Sequence, residues 1–126
     1  MGAWGSKFDE NDDAADWLDE FESSPNWLSV DAALDLGEDY VEAPEASIVL
    51  AACEVVAAGL GNASPQLSET VVAWAKANST DAAQRKSAAK HAAERVRDDS
   101  ELQELWSEAE EFSEWQRHVD ETISRL

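Results

Sequence analysis

An all-α fold, a single bundle of about six helices, is predicted by the sequence from three observations. The chain has 22 alanines among its 126 residues, and β-branched residues never alternate with polar ones as they do in strands. Proline, glycine and short polar residues fall mainly where one helical pattern ends and the next begins. Residues 44–60 are apolar on nearly all sides, which is typical of a helix at the centre of a domain. We expect residues 1–126 to form one domain around that helix.

Two helices are predicted before the central one. Asn11 or Asp12 caps the first, which runs to about residue 22 with acidic residues in its first turn, where they favour the helix dipole. Ser24 and Pro25 are an N-cap and first-turn proline that open the second helix, and Gly37 ends it. Both helices have an apolar stripe, formed by Trp17, Leu18 and Phe21 in the first and by Trp27, Leu28, Val30 and Leu34 in the second.

The third, fourth and fifth helices are delimited by similar signals. Pro44 starts the central third helix, which ends near residue 60. Ser64 and Pro65 open a fourth that closes near residue 78, and an alanine-rich, basic fifth helix spans about residues 80–97. Apolar residues at helical spacing give each of them a face for the core.

The last predicted helix is long and amphipathic. Ser100 and Gln103 form a capping box at its start, and 26 residues at about 1.5 Å each extend about 39 Å, more than a small domain is wide. The helix therefore either kinks near residues 110–113 or reaches beyond the domain. Gln116 and the surrounding acids disfavour a long parallel coiled coil, so we expect a fold-back in a monomer rather than a homodimer. Its seam is heptad-like: Leu102, Leu105, Ala109, Phe112, Gln116, Val119, Ile123 and Leu126.

The formal net charge of −19 is the second informative feature, and it is unevenly distributed. Between Phe8 and Ala75 there are sixteen Asp and Glu residues and no Lys or Arg. Three interpretations compete: adaptation of the surface to high salt, an acidic face that engages a basic protein partner, and compositional drift on a solvated surface. Direct binding to nucleic acid or to an anionic membrane is disfavoured, because affinity for phosphate depends on Lys and Arg.

Glu54 lies within the apolar third helix, past its first turn. It shares a stripe with the small residues Ser47, Ala51 and Ala58, which could face solvent, a closely packed helix or a pocket. A carboxylate in an apolar pocket has a raised pKa and can act as a base. The commoner outcome is an exposed or salt-bridged Glu54, for which the expected partners are Lys86, Lys90 or Arg97.

Signals for metal, cofactor or nucleophilic chemistry are weak. Asp9, Asn11, Asp13 and Glu20 occupy ligand positions of an EF-hand loop, but Ala14 stands where the sharp turn requires glycine. His91 and His118 lie apart and in no metal-binding spacing, and no phosphate-binding or dinucleotide-binding motif occurs. Cys53 is expected to be buried and inert. We therefore predict no metal site and no cofactor.

The N-terminal segment carries the most specific motif of the chain. Its opening is formed by Met1, Gly2, Trp4 and Gly5, followed in register by Asn11, Asp12, Asp13, Ala14, Asp16 and Trp17. This string resembles the start of domain of unknown function family 4259, from which Ser6, Lys7 and Phe8 depart. The resemblance implies relatives but no mechanism. We expect the two glycines to allow a turn that places Trp4 against the core, and the candidate functional residues are Glu54, Trp4, Asp12, Asp13, Asp16 and Trp17.

The function expected from these features is that of a non-catalytic, acidic, cytoplasmic protein-interaction module. Electrostatic steering of a basic partner would be followed by docking of an exposed helical face. In its sharpest form this is an immunity-type or DNA-mimic protein. The alternative is a small hydrolase or transferase that uses Glu54 with a histidine.

Overall fold

Residues 5–126 are described by a computed structural model, and in this part of the chain all regular structure is helical. The predicted all-α class is confirmed. The described residues form eight helices rather than about six. They are α1 (Asp12–Ser23), α2 (Trp27–Leu34), α3 (Ala43–Gly59), α4 (Glu69–Ala77), α5 (Ser79–Gln84), α6 (Lys86–Asp98), α7 (Glu101–Ser107) and α8 (Phe112–Arg125).

Four helices begin with a polar side chain that accepts a hydrogen bond from the first turn. Asn11, one of the two predicted caps of α1, accepts from the Ala14 amide at 2.8 Å. The predicted cap of α2 at Ser24 is wrong, because Asn26 holds that position and accepts from the backbone of Ser29. The caps of the two other helices are Ser68 of α4, where Ser64 had been predicted, and Ser100 of α7.

Helix α3 is the centre of the bundle, as predicted, and contacts each of the other seven helices. Every residue from Val49 to Gly59 is buried. Position 59 requires glycine, because a Cβ atom there would collide with the side chain of Ala82 in α5. The other helices thus surround α3, and the short helix α5 lies very close to the end of α3.

The two extra helices arise where predicted long helices are broken. The fifth helix divides at Arg85, whose guanidinium turns to Asp31 of α2 with distances of 2.7 and 2.9 Å. The long C-terminal helix is broken over residues 108–111, close to the expected kink. This break lets Trp106 and Trp115 both become buried with their rings stacked, their centroids 6.5 Å apart. Helix α8 consequently folds back onto α3 and α6.

None of the helices within residues 5–126 is both long enough and apolar enough to cross a membrane.

Candidate functional site

The exposed side of α1 carries a continuous row of carboxylates. Helical spacing places five exposed acidic residues on one side, while Ala14 and Phe21 are buried on the other. Within residues 5–126, none of these carboxylates lies within 4.0 Å of a Lys, Arg or His nitrogen. The row therefore presents uncompensated negative charge. Three of its members are site residues that the sequence predicted, namely Asp12, Asp13 and Asp16. The whole row is Asp12, Asp13, Asp16, Asp19 and Glu20.

Several arginines of the described chain are already bound to other groups. Arg97 contacts Asp98 at 2.8 Å and Asp120 at 3.1 Å, and its guanidinium holds the pKa of Asp98 below the usual range. Arg85 pairs with Asp31, and Arg95 donates to backbone carbonyls of the α2–α3 connection. Negative charge on α1 is thus left for solvent cations or a partner to neutralise.

Glu54 lies inside the bundle rather than at an accessible site. Its side chain is completely buried, and Arg125 at the end of α8 donates to both carboxylate oxygens, Nη2 to Oε1 at 2.6 Å and Nε to Oε2 at 3.2 Å. The expectation of an ion pair is confirmed, but the predicted partners are wrong. Lys86 and Lys90 are exposed on α6, and Arg97 binds Asp98 and Asp120. Both oxygens of Glu54 are occupied by a structural contact, so it is not placed to accept a substrate proton.

His118 contacts the N-terminal segment and not Glu54. Its Nδ1 lies 2.8 Å from Oγ of Ser6, and it lines a pocket of about 170 Å³ together with Lys7, Ser64 and Arg125. Sequence reasoning did not predict this pocket. One signal was present, since His118 and Arg125 are seven residues apart and therefore share a face of α8.

Trp17 is part of a half-buried aromatic stack that packs against the core, which gives it a structural role. Its ring stacks on Phe21 with centroids 5.1 Å apart, and Phe21 meets Trp74 edge-on at 5.4 Å. Trp27 continues the stack against Trp74, and the guanidinium of Arg85 lies over the Trp27 ring at 4.9 Å. This stack fixes the orientation of α1. Trp4, the remaining predicted site residue, lies outside the described residues.

Cys53 is buried, as predicted. Its Sγ donates to the carbonyl oxygen of Ala89 at 3.2 Å, and burial raises the pKa of the thiol well above its ordinary value. The protonated thiol is a poor nucleophile. It therefore packs as a small apolar side chain between α3 and α6.

A second pocket opens beside the first turn of α1, with a volume of about 180 Å³. Its lining combines apolar core residues with the exposed Asp13, so it joins the carboxylate row to the interior. The lining comes from segments far apart in the sequence, so no local sequence pattern predicted the pocket. Its apolar walls are Phe8, Pro44, Leu50, Leu102, Leu105, Trp106 and Trp115.

Comparison with known proteins gives a family but no activity. A search of curated proteins and a search of solved structures each found no match. The family model described as Domain of unknown function (DUF4259) matches residues 2–118, which is nearly the whole chain. It covers the motif residues around Asp12 and Trp17, the central helix and the start of α8. The resemblance seen in the opening motif is therefore confirmed, and the chain belongs to this family of unknown function.

Proposed function

We propose that this protein is a non-catalytic interaction module that engages a basic protein partner through the exposed face of α1. The observation that carries the proposal is the row of five exposed carboxylates without a basic neighbour among the described residues. An isolated field of one sign attracts a partner of opposite charge and accelerates its association. The partner then supplies the cations that the protein's own surface does not.

The rigidity of α1 supports this role. Its buried side is fixed by Phe21 and by the stacking of Trp17, so the carboxylates are presented on a fixed scaffold. Groups that are positioned before binding lose less conformational entropy when the complex forms. In its sharpest form the partner is a nucleic-acid-binding protein, and the row of carboxylates occupies the surface on which that protein binds phosphates.

The same proposal extends to the compartment and the assembly state. One cysteine with a buried thiol suits a reducing compartment, so we assign the protein to the cytoplasm. We also propose a monomer, because α8 turns its apolar seam toward the core and two chains of −19 repel each other at low salt.

The experiment compares two variants of equal net charge as baits in an extract of the native host. One replaces Asp12, Asp13, Asp16 and Asp19 by asparagine. The matched control neutralises four exposed acids elsewhere, namely Glu38, Glu69, Asp99 and Glu110.

We expect the wild type and the control to retain a basic protein that the α1 variant loses, and calorimetry with that purified protein to show the same order of affinity. Equal retention by both variants would show that net charge alone drives the association. Absence of any basic protein above the bead background would remove the proposed function.

A further inference from the structure

We propose that the apolar pocket beside α1 receives a single apolar side chain of the basic partner, an aromatic or branched aliphatic residue flanked by Lys or Arg. This inference rests on the proposed function and names the part of the partner that gives specificity. The pocket is enclosed by the segment that precedes α1, the first turns of α1 and α3, and helices α7 and α8.

The pocket has an interior suited to an apolar group. Trp106 and Trp115 form part of its wall with stacked rings, and Phe8, Leu50 and Leu102 are buried members of the core. Its volume of about 180 Å³ compares with the cavities of about 150 Å³ that take up benzene in other proteins. One ring or one branched chain therefore fits, and a helix or a strand does not.

The rim of the pocket selects a basic flank for that side chain. Asp13 lines it directly, and Glu101 accepts a hydrogen bond from the amide of the lining residue Ala43 at 2.8 Å. Glu10 accepts from the amide of Lys7 at 3.1 Å, so a third carboxylate lies beside the lining. Lys7 is the one basic residue of the lining. One lining carboxylate and two carboxylates bonded to lining residues thus lie close to the apolar pocket, against one lysine. This excess of negative charge complements an apolar side chain flanked by cations.

Charge also decides between the occupants. A second copy of this chain carries a net charge of −19, and Lys7 is its only Lys or Arg before Lys76. The partner class of the proposed function, in contrast, brings the missing cations. The chain's own residues 1–4 precede the lining residue Gly5 and are the intramolecular competitor that the test must distinguish.

The test uses two labelled peptides, Lys-Lys-Phe-Lys-Lys and Lys-Lys-Gly-Lys-Lys, and measures their affinities by fluorescence anisotropy. Burial of the phenyl ring should make the first peptide bind at least about ten-fold more tightly. Ala43 lines the pocket, so Ala43→Phe should fill it with the new ring and abolish the difference in affinity between the two peptides. The matched control is Ala83→Phe, on the exposed side of α5, which should leave it unchanged.

A second pair of variants tests the rim. Asp13→Asn removes a lining carboxylate, whereas Asp12→Asn removes an exposed first-turn acid of the same helix that does not line the pocket. We expect Asp13→Asn to weaken the binding of the phenylalanine peptide by about two-fold to ten-fold, and Asp12→Asn to have less effect.

Wild-type protein gives an independent readout, since the indole N–H signals of Trp106 and Trp115 should shift on titration while those of Trp27 and Trp74 should not. Equal affinity for both peptides would overturn the pocket proposal but leave the acidic face intact. Failure of both peptides to bind at low salt would remove the proposed function itself. If Trp4→Ala gains the phenylalanine preference that the wild type lacks, the chain's own N-terminal residues occupy the pocket and the inference is wrong.

Discussion

Arg125 binds the completely buried carboxylate of Glu54 through two hydrogen bonds of 2.6 and 3.2 Å. The contact joins the last turn of α8 to the central helix, 71 residues earlier in the chain. The backbone oxygen of Arg125 also accepts from Asn62 at 2.9 Å, so the same residue holds the connection that follows α3. This ion pair therefore helps to hold the last helix against the central one.

Loss of Arg125 should destabilise the protein strongly. Arg125→Leu leaves the carboxylate of Glu54 buried without its partner, and we expect a loss of about 3 kcal/mol in the free energy of unfolding, measured with urea. The double variant with Glu54→Leu should recover most of that loss, because the buried charge is gone. Arg117→Leu is the control, since Arg117 pairs with Glu121 on the surface and should cost less than about 1 kcal/mol. A single variant as stable as the control would contradict the structural role of the pair.

Asp9 should oppose folding at neutral pH. One of its carboxylate oxygens is buried without a hydrogen-bond partner, and burial raises the pKa of Asp9 above 3.8. A carboxyl group with a raised pKa in the folded state costs stability when ionised. That cost shrinks as the pH falls below the folded-state pKa and is gone below the unfolded-state pKa. Asp9→Asn should therefore raise the melting temperature at pH 7, and the gain should shrink on acidification. Asp12→Asn removes the same charge from an exposed position, and an equal gain from it would show that net charge is the cause.

Added salt should stabilise the wild type. Molar potassium chloride screens repulsion among the carboxylates of residues 8–75, and about 1 kcal/mol shifts the melting temperature of a domain of this size by roughly 3–6 °C. Calorimetry from about 0.1 M to about 2 M salt should show a rise of several degrees. The α1 variant with four asparagines should show a smaller rise. A flat or falling curve would remove the interpretation of the surface as adapted to salt.

The protein should be a monomer at low and at high salt. Trp115 and Val119 of α8 and the following Leu126 are buried within the bundle, which leaves little of the seam to pair with a second chain. Multi-angle light scattering should give the mass of one chain under both conditions. A stable dimer that Ile123→Glu converts into a folded monomer would show that the seam is an interface instead.

Local sequence signals predicted the helices well where few residues near a helix end could serve as its cap. The central helix and the start of α7 at Ser100 follow from residues within one turn, and the cap of α1 was narrowed to Asn11 or Asp12, of which Asn11 is the one observed. The starts of α2 and α4 were misplaced because each region offers two polar residues within a few positions of a proline. Packing against α3 selects Asn26 and Ser68, and local patterns contain no such information.

Candidate site features were predictable only where they repeat along one helix. The exposed side of α1 follows from a period of 3.6, so Asp12, Asp13 and Asp16 were found. The partner of Glu54 was not found, because the predicted Arg97 pairs with Asp98 and Asp120, and Lys86 and Lys90 are exposed. The actual partner, Arg125, comes from the far end of the chain. The apolar pocket combines five segments, and its existence depends on the break at residues 108–111.

The close approach of α5 to the end of α3 has a consequence for sequence drift. A Cβ atom at position 59 would overlap the Cβ atom of Ala82, so the two positions cannot both carry a methyl group. During divergence the two positions should be inherited as a pair, so that an alanine at position 59 persists only where position 82 has become glycine. A lineage reaches that arrangement through a strained intermediate unless position 82 changes first.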